Sequence, residues 1–181
     1  DKIMSVLGGK SSLIETASSQ AHELEDSFAE IGGKEEWNLK IYYDEEKVKR
    51  LVTENNPVMQ KKREEIKELS PGRQFFERKK IDRMAEKEMD KELNERCNEI
   101  HLELSGLATR SDVKKTLGKD ATGRKDNMSW NSVFLLQESE VDRFVEKVMK
   151  KDQQLNGSGL KMEATGPWPA YHFSNLSKAA K

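Results

Sequence analysis

Glu36-Trp37-Asn38-Leu39-Lys40-Ile41-Tyr42-Tyr43 is the stretch on which the fold turns. Trp37, Leu39, Ile41 and Tyr43 alternate with Asn38, Lys40 and Tyr42, the period of a strand with one buried face. A strand needs partners, and two later segments offer them. Trp130 to Gln137 contains Val133-Phe134-Leu135-Leu136, apolar on both faces, which predicts a central position. Leu160 to Ala164 starts a third strand that runs into Gly166-Pro167-Trp168-Pro169-Ala170-Tyr171-His172-Phe173. Each proline there has φ fixed near −65° and no amide donor, so a strand tolerates them only at an edge or at its end. Pro167 and Pro169 therefore predict the termination of an edge strand. Trp168 and Tyr171 are expected to pack on the sheet face as the chain leaves it, with direct contact to a partner as the other possibility.

Helical spacing fills the intervals. Leu13, Ala17, Ala21, Leu24, Phe28 and Ile31 make one apolar stripe over residues 10–31, closed by Gly32-Gly33. Asp44 is placed to cap a helix that buries Val48, Leu51 and Val52, and Asn55-Asn56-Pro57 interrupts before a second helical piece that reaches Leu69. Ser70-Pro71-Gly72 is either a turn or the start of a new helix with Ser70 as cap and Pro71 in the first turn, and from Phe75 to about Leu107 the pattern is long and helical. Its stripe is Ile81, Met84, Met89, Leu93, Cys97, Ile100, Leu104 and Leu107. Thr109 to Asn127 is polar and glycine-punctuated, predicting an exposed loop with a turn of helix at Val113 to Leu117. Ser139 is the expected cap of a helix carrying Val141, Phe144, Val145, Val148 and Leu155, which Asn156-Gly157-Ser158-Gly159 ends. Residues 174–181 are expected to be a disordered tail. The pattern predicts an α+β fold: a small sheet with helices on one face, plus a long helical excursion over residues 44–107.

Composition narrows function. Lys plus Arg number 32 against 33 Asp plus Glu, so no whole-chain field would recruit nucleic acid or an anionic membrane. Lys61-Lys62-Arg63 and Arg78-Lys79-Lys80 are short basic runs with acidic neighbours and no interleaved aromatics, so a nucleic-acid partner is not expected. No apolar run approaches the ~18 residues of a membrane span, and Asp1-Lys2-Ile3-Met4 lacks the basic start and apolar core of a signal peptide. The single cysteine, Cys97, excludes an intrachain disulfide and suits a reducing compartment.

Catalytic constellations are not found. Gly8-Gly9-Lys10-Ser11 ends like a phosphate-binding loop, but Ile3 stands near where the earlier glycine is required and no strand precedes it. His22, His101 and His172 stand apart, without a second ligand at metal-binding spacing; His22 and His101 are expected on helix surfaces. Cys97 lies on an apolar stripe, where a buried thiol is the ordinary expectation. Phe75-Phe76 is expected to pack on the sheet, with an interface anchor as the other possibility. No metal or cofactor is expected.

The long helix carries charge in rows. Arg83, Lys87 and Lys91 form a basic row, and Glu88, Glu92, Glu95, Glu99 and Glu103 an acidic one. Like charges four apart destabilise an isolated helix by roughly 0.2–0.5 kcal/mol per pair, so such rows favour a complementary neighbour, either the helices of residues 44–69 or another molecule. A solvated face is the plain alternative.

Four segments taken in order resemble the gas vesicle protein F/L family. Thr165-Gly166-Pro167-Trp168-Pro169-Ala170-Tyr171-His172-Phe173 is similar to its terminal glycine, Pro-Trp-Pro, tyrosine and phenylalanine signature, with Ala170 where a third proline is common. Glu36-Trp37-Asn38-Leu39-Lys40-Ile41-Tyr42 resembles its Glu-Trp strand, Ser70-Pro71-Gly72-Arg73-Gln74-Phe75-Phe76 its Ser-Pro-Gly helix entry, and Met128-Ser129-Trp130-Asn131-Ser132-Val133-Phe134-Leu135 its Met, Asn, aromatic-Leu strand. Trp37, Pro71, Gly72, Asn131, Gly166, Pro167, Trp168, Pro169, Tyr171 and Phe173 carry the resemblance.

The resemblance implies that residues 34–173 form a modified ferredoxin-like domain with a helical insertion at 44–107. Residues 1–33 would then be the end of a further N-terminal domain, of about a hundred residues in this family, with its connecting helix. It also implies a non-enzymatic accessory role in gas vesicle assembly, in the cytoplasm or on the vesicle. Partners would be the hydrophobic shell protein and other accessory proteins. The charged helix, through Arg83, Lys87, Lys91, Glu88, Glu92 and Glu95, is the expected partner-binding part. A coiled-coil-like oligomerising scaffold and an enzyme with a composite site are the alternatives.

Overall fold

The computed structural model describes residues 18, 19, 21, 22, 25, 26 and 28–174. The elements are, in chain order, β1 (Lys34–Tyr43), α1 (Glu45–Asn55), α2 (Pro57–Lys67), α3 (Pro71–Ser105), β2 (Arg110–Val113), α4 (Lys119–Thr122), β3 (Asn127–Gln137), a 3-10 turn (Glu138–Glu140), α5 (Val141–Gln154) and β4 (Leu160–Trp168). The strands make one antiparallel sheet in the order β2-β3-β1-β4. Helical connections join β1 to β2 and β3 to β4, so this is a ferredoxin-like split βαβ arrangement whose first crossover has grown into three helices.

β1 pairs on both sides. Its register sets Trp37 opposite Phe134 and Ile41 opposite Trp130, and sets Leu39 opposite Ala164 and Ile41 opposite Met162. Paired residues share a face, so the alternation in β1 collects Leu39, Ile41, Trp130, Phe134, Leu136 and Met162 on one side. The C-terminal half of α3, through Leu93, Cys97, Ile100 and Leu104, and α5, through Phe144 and Val148, cover that side. The Phe134 and Phe144 rings lie 5.1 Å apart. Each large side chain removed from water contributes about 1.5–3 kcal/mol.

Local chemistry sets the boundaries. Asp44 accepts from the Lys47 amide and starts α1, while the Asn56 side chain accepts from the Val58 and Met59 amides and starts α2 with Pro57 in its first turn. Gly33 takes φ 65°, the left-handed turn that separates the helix ending at Ile31 from β1. Of the predicted N-terminal stripe, Leu13, Ala17 and Leu24 fall outside the described residues, and Phe28 is 59% exposed. The segment Gly8-Gly9-Lys10-Ser11 and residues 175–181 of the predicted tail also fall outside them. Ser174 is buried.

Four expectations are corrected. Residues 110–113 are an edge strand, not loop, and the helical turn lies at Lys119–Thr122 instead of Val113 to Leu117. α5 begins at Val141 with Glu140 at its N-cap, so Ser139, inside the 3-10 turn, does not cap it. Phe75 and Phe76 do not pack on the sheet; they are 60% and 68% exposed. His101 is not on a helix surface: it is 7% exposed, with its ring 5.3 Å from Phe134 and 5.8 Å from Trp130.

Burial holds the His101 imidazole below its ordinary pKa, against the smaller opposing pull of Asp112. In the unfolded chain it takes a proton near pH 6.5. Below that pH the unfolded state binds more protons than the folded one, so stability falls as the solution is acidified. His101→Phe is expected to lose less stability than the parent chain between pH 7.5 and pH 5.5, with urea midpoints as the measurement. Equal losses would mean that His101 is free to protonate in place.

Candidate interaction surfaces

α3 is 35 residues long, about 52 Å at 1.5 Å per residue, and it lives in two environments. Its C-terminal half rests on the sheet, where the Cys97 Sγ lies 3.4 Å from the Ser129 Oγ. Its N-terminal half projects, covered on one side by α1 and α2, whose Val48, Val52 and Met59 meet Ala85, Met89 and Leu93. Asn56 ties the three helices together, because its Nδ2 donates to Glu92 at 2.6 Å while its oxygen caps α2. Lys49 to Glu86 at 3.0 Å and Lys62 to Glu77 at 3.7 Å bridge the same seam.

The two rows of charge meet different fates. Glu88 is half-buried, and Glu92 and Glu95 are exposed beside the buried stripe. Glu92 and Glu95, with Glu99 and Arg96, rim a cleft of about 410 Å³ floored by Val48, Val52, Leu93 and Leu160. Further along, Glu103 is held by Lys147 at 3.1 Å and by Lys151, and these bonds keep its carboxyl below the usual range. The acidic row is thus answered within the chain at Glu92 and at Glu103. Arg83, Lys87 and Lys91 occupy the far side of α3, exposed, and none pairs with an acid among the described residues. The structure brings Glu92 and Glu95 into one cleft and keeps the three cations on a separate face.

The motif residues divide as well. An added Cβ on Gly166 would lie 2.5 Å from the Trp37 ring, so the backbone of β4 rests directly on the indole. Trp37 also packs against Phe144 at 6.3 Å and donates from Nε1 to Glu35 at 3.0 Å. Contrary to expectation, Trp168 and Tyr171 do not bury their rings; they are 51% and 67% exposed, and Pro167 and Pro169 are also exposed. Phe173 is the buried member, in a second cluster with Val133 and Leu135 on the other face of the sheet. Asn131 is buried and donates to the Lys115 carbonyl at 2.8 Å, holding the loop after β2. Pro71 and Gly72 stand exposed at the start of α3.

A clasp that local spacing does not announce closes the second face. His172 donates from its amide to Glu36 at 3.0 Å, and its Nε2 lies 2.9 Å from Asp112. Arg110 reaches Glu30 at 2.7 Å while its guanidinium sits 5.1 Å over the Phe173 ring. His172 and the Val113 amide, both bonded to Asp112, hold its carboxyl below the ordinary range. At the other end, Arg124 lies 4.0 Å over the Tyr42 ring and pairs with Glu163 and Asp126.

Among the described residues, no three His, Cys, Asp or Glu side chains converge to hold a metal, and no helix is long and apolar enough to cross a membrane. Cys97 is fully buried and burial pushes its thiol up. What the surface offers is charge and apolar area.

The sequence matches the family described as gas vesicle synthesis protein GvpL/GvpF over residues 3–175. The fold is similar to the crystal structure of the gas vesicle protein GvpF from Anabaena sp. PCC7120, with TM-score 0.67 and 17% identity over 89% of this chain and 62% of that one. It is also similar to that of GvpF from Microcystis aeruginosa, with TM-score 0.58 and 19% identity over 90% of this chain and 63% of that one. This chain therefore spans a little under two thirds of either structure, and at these identities the likeness is one of fold. No curated protein matches the sequence.

The two motif glycines carry opposite expectations. Gly166→Ala forces a methyl group into the Trp37 ring and is expected to cost about 1–3 kcal/mol. Gly72→Ala meets nothing within 4 Å in the first turn of α3 and is expected to be neutral or to stabilise by up to about 1 kcal/mol. Denaturant titration of both variants checks the pair.

Proposed function

The chain belongs to the GvpL/GvpF family of gas vesicle synthesis proteins, and on that premise we propose that it is an accessory protein acting by binding. In this role it is a non-enzymatic assembly factor or adaptor for the hydrophobic shell protein and other accessory proteins while vesicles form. The observation that carries the reading is the family match over residues 3–175, which takes in the sheet and the helical projection together.

The basic face of α3 is the partner-facing part of this proposal. Arg83, Lys87 and Lys91 recur every four residues, about 6 Å apart along the axis, on the side away from α1 and α2. An acidic row on a partner would find three exposed cations there. Exposed charges of this kind speed and orient encounter more than they tighten it, and salt screens them. The sheet, closed on both faces, serves as the rigid base from which the projection extends.

Reversing Arg83, Lys87 and Lys91 to Glu together is expected to cut co-purification with the shell protein at least about tenfold at low salt, with the circular dichroism unchanged. Undiminished binding by the folded variant would remove this face from the interface. The role itself is tested in a vesicle-forming cell, where deletion of the gene is expected to abolish intact vesicles. Normal vesicles would overturn it.

A further inference from the structure

Two exposed apolar features stand at opposite ends of the molecule. At the free end of the projection, Phe75 and Phe76 pack edge to face at 5.8 Å and remain 60% and 68% exposed. Cations surround them: Arg73, Arg78 and Lys79 are exposed, and the Lys79 Nζ lies 5.2 Å over the Phe75 ring. Glu77, the acid adjacent to Phe76 in sequence, is already engaged by Lys80 and Lys62. The result is an aromatic knob with a positive collar.

On the sheet domain, α5 and the end of β4 enclose a groove of about 880 Å³. Trp37, Val141, Val145, Met149 and Pro167 line it, and Met149 is 60% exposed. Glu35, Asp142 and Glu146 stand on its rim, with Lys150 the single cation among the lining residues. This is an apolar hole with a negative collar, and Trp168, 51% exposed, follows Pro167 at its edge.

We propose that the Phe75–Phe76 knob of one copy docks in the Trp37–Met149–Pro167 groove of a second copy. Opposite charge on the two collars is what selects this occupant. The groove has room for two phenyl rings, and burying them removes from water the largest exposed apolar group on the projection. A chain cannot satisfy its own groove. His101 rests on the sheet 25 residues after Phe76 in the same helix, which places the knob about 37 Å from it along the axis. Knob and groove are different surfaces, so the contact is head-to-tail and each joined pair keeps one free knob and one free groove. Copies therefore add in rows or close into a ring.

Sedimentation velocity on the full chain from roughly 1 µM to 1 mM, the range in which weak specific contacts dissociate, tests the proposal. The average mass is expected to rise with concentration and to fall with added salt. Phe75→Ser with Phe76→Ser leaves a chain with a groove and no knob; Met149→Arg leaves a knob and no groove. Each is expected to be monomeric alone, and their mixture to form a dimer and nothing larger. Asp142→Lys with Glu146→Lys blocks the groove by charge without touching its floor, and covers the case in which Met149→Arg unfolds. Parent chain that stays monomeric across the range overturns the proposal, as does a mixture that stays monomeric or a knobless variant that still self-associates. A monomeric parent whose tryptophan emission shifts with a basic amphipathic peptide would assign the groove to a different protein, and also overturns it.

Discussion

The indole of Trp37 is where the sheet is locked to its last strand and to α5. It packs against Phe144, it meets the backbone of Gly166, and its Nε1 is bonded to Glu35. The contact dictates the path of the chain around it. Only glycine leaves the ring room, so β4 must carry Gly166 at that point, and pairing between β1 and β4 shifts register between Glu36 and Asn38 to accommodate the approach. Beyond the shift, Pro167 cannot donate to a ladder, and the strand ends at Trp168. The same ring then becomes one wall of the groove beside α5. Packing at Trp37 thus fixes the strand end, the glycine and the shape of the exposed surface together.

The second face of the sheet is closed by a different balance of forces. Residues 169–174 turn back so that Phe173 covers Val133 and Leu135. Burial of that one ring contributes about 1.5–3 kcal/mol, whereas exposed ion pairs such as Arg110 with Glu30 contribute about 0–1 kcal/mol each. The ring therefore supplies the hold, and the polar contacts supply the placement. Glu36 shows the difference. It is 6% exposed and accepts from the His172 amide, so losing that bond would strand a buried carboxylate as well as free the segment.

Much of the fold was legible because its periods are long and uninterrupted. β1, β3, the stripe of α3 and the stripe of α5 each repeat over enough residues to identify the buried face, and Asp44 and Gly33 act as their side chain and backbone freedom predict. β2 was hidden for a physical reason. It is four residues long, lies at the sheet edge and pairs on one side only, so Arg110 and Asp112 carry polar side chains where alternation would be sought. His101 was misplaced because its burial comes from Trp130 and Phe134, some thirty residues away in sequence. In the terminal motif the prolines reported the strand end correctly, but ring count did not say which ring is buried. That depends on how the chain turns through residues 169–174, which sets Phe173 against Val133 and Leu135 and leaves Trp168 and Tyr171 exposed. The charged rows of α3 were visible, yet their partners were not, since Glu103 meets α5 and Glu92 meets Asn56 only in the folded molecule.

That asymmetry bears on how the molecule binds. An isolated helix with both rows would suffer repulsion along each of them. Here the fold relieves the acidic row with Lys147, Lys151 and Asn56, and provides nothing equivalent for Arg83, Lys87 and Lys91. Among the described residues none of these three cations is held in an ion pair, and all three stand exposed. Under the proposed function, an acidic partner docking there would pair with those cations without disturbing the packed helices behind the row. α3 continues without interruption from that face to the sheet, where the same helix buries Cys97, Ile100 and Leu104 in the core.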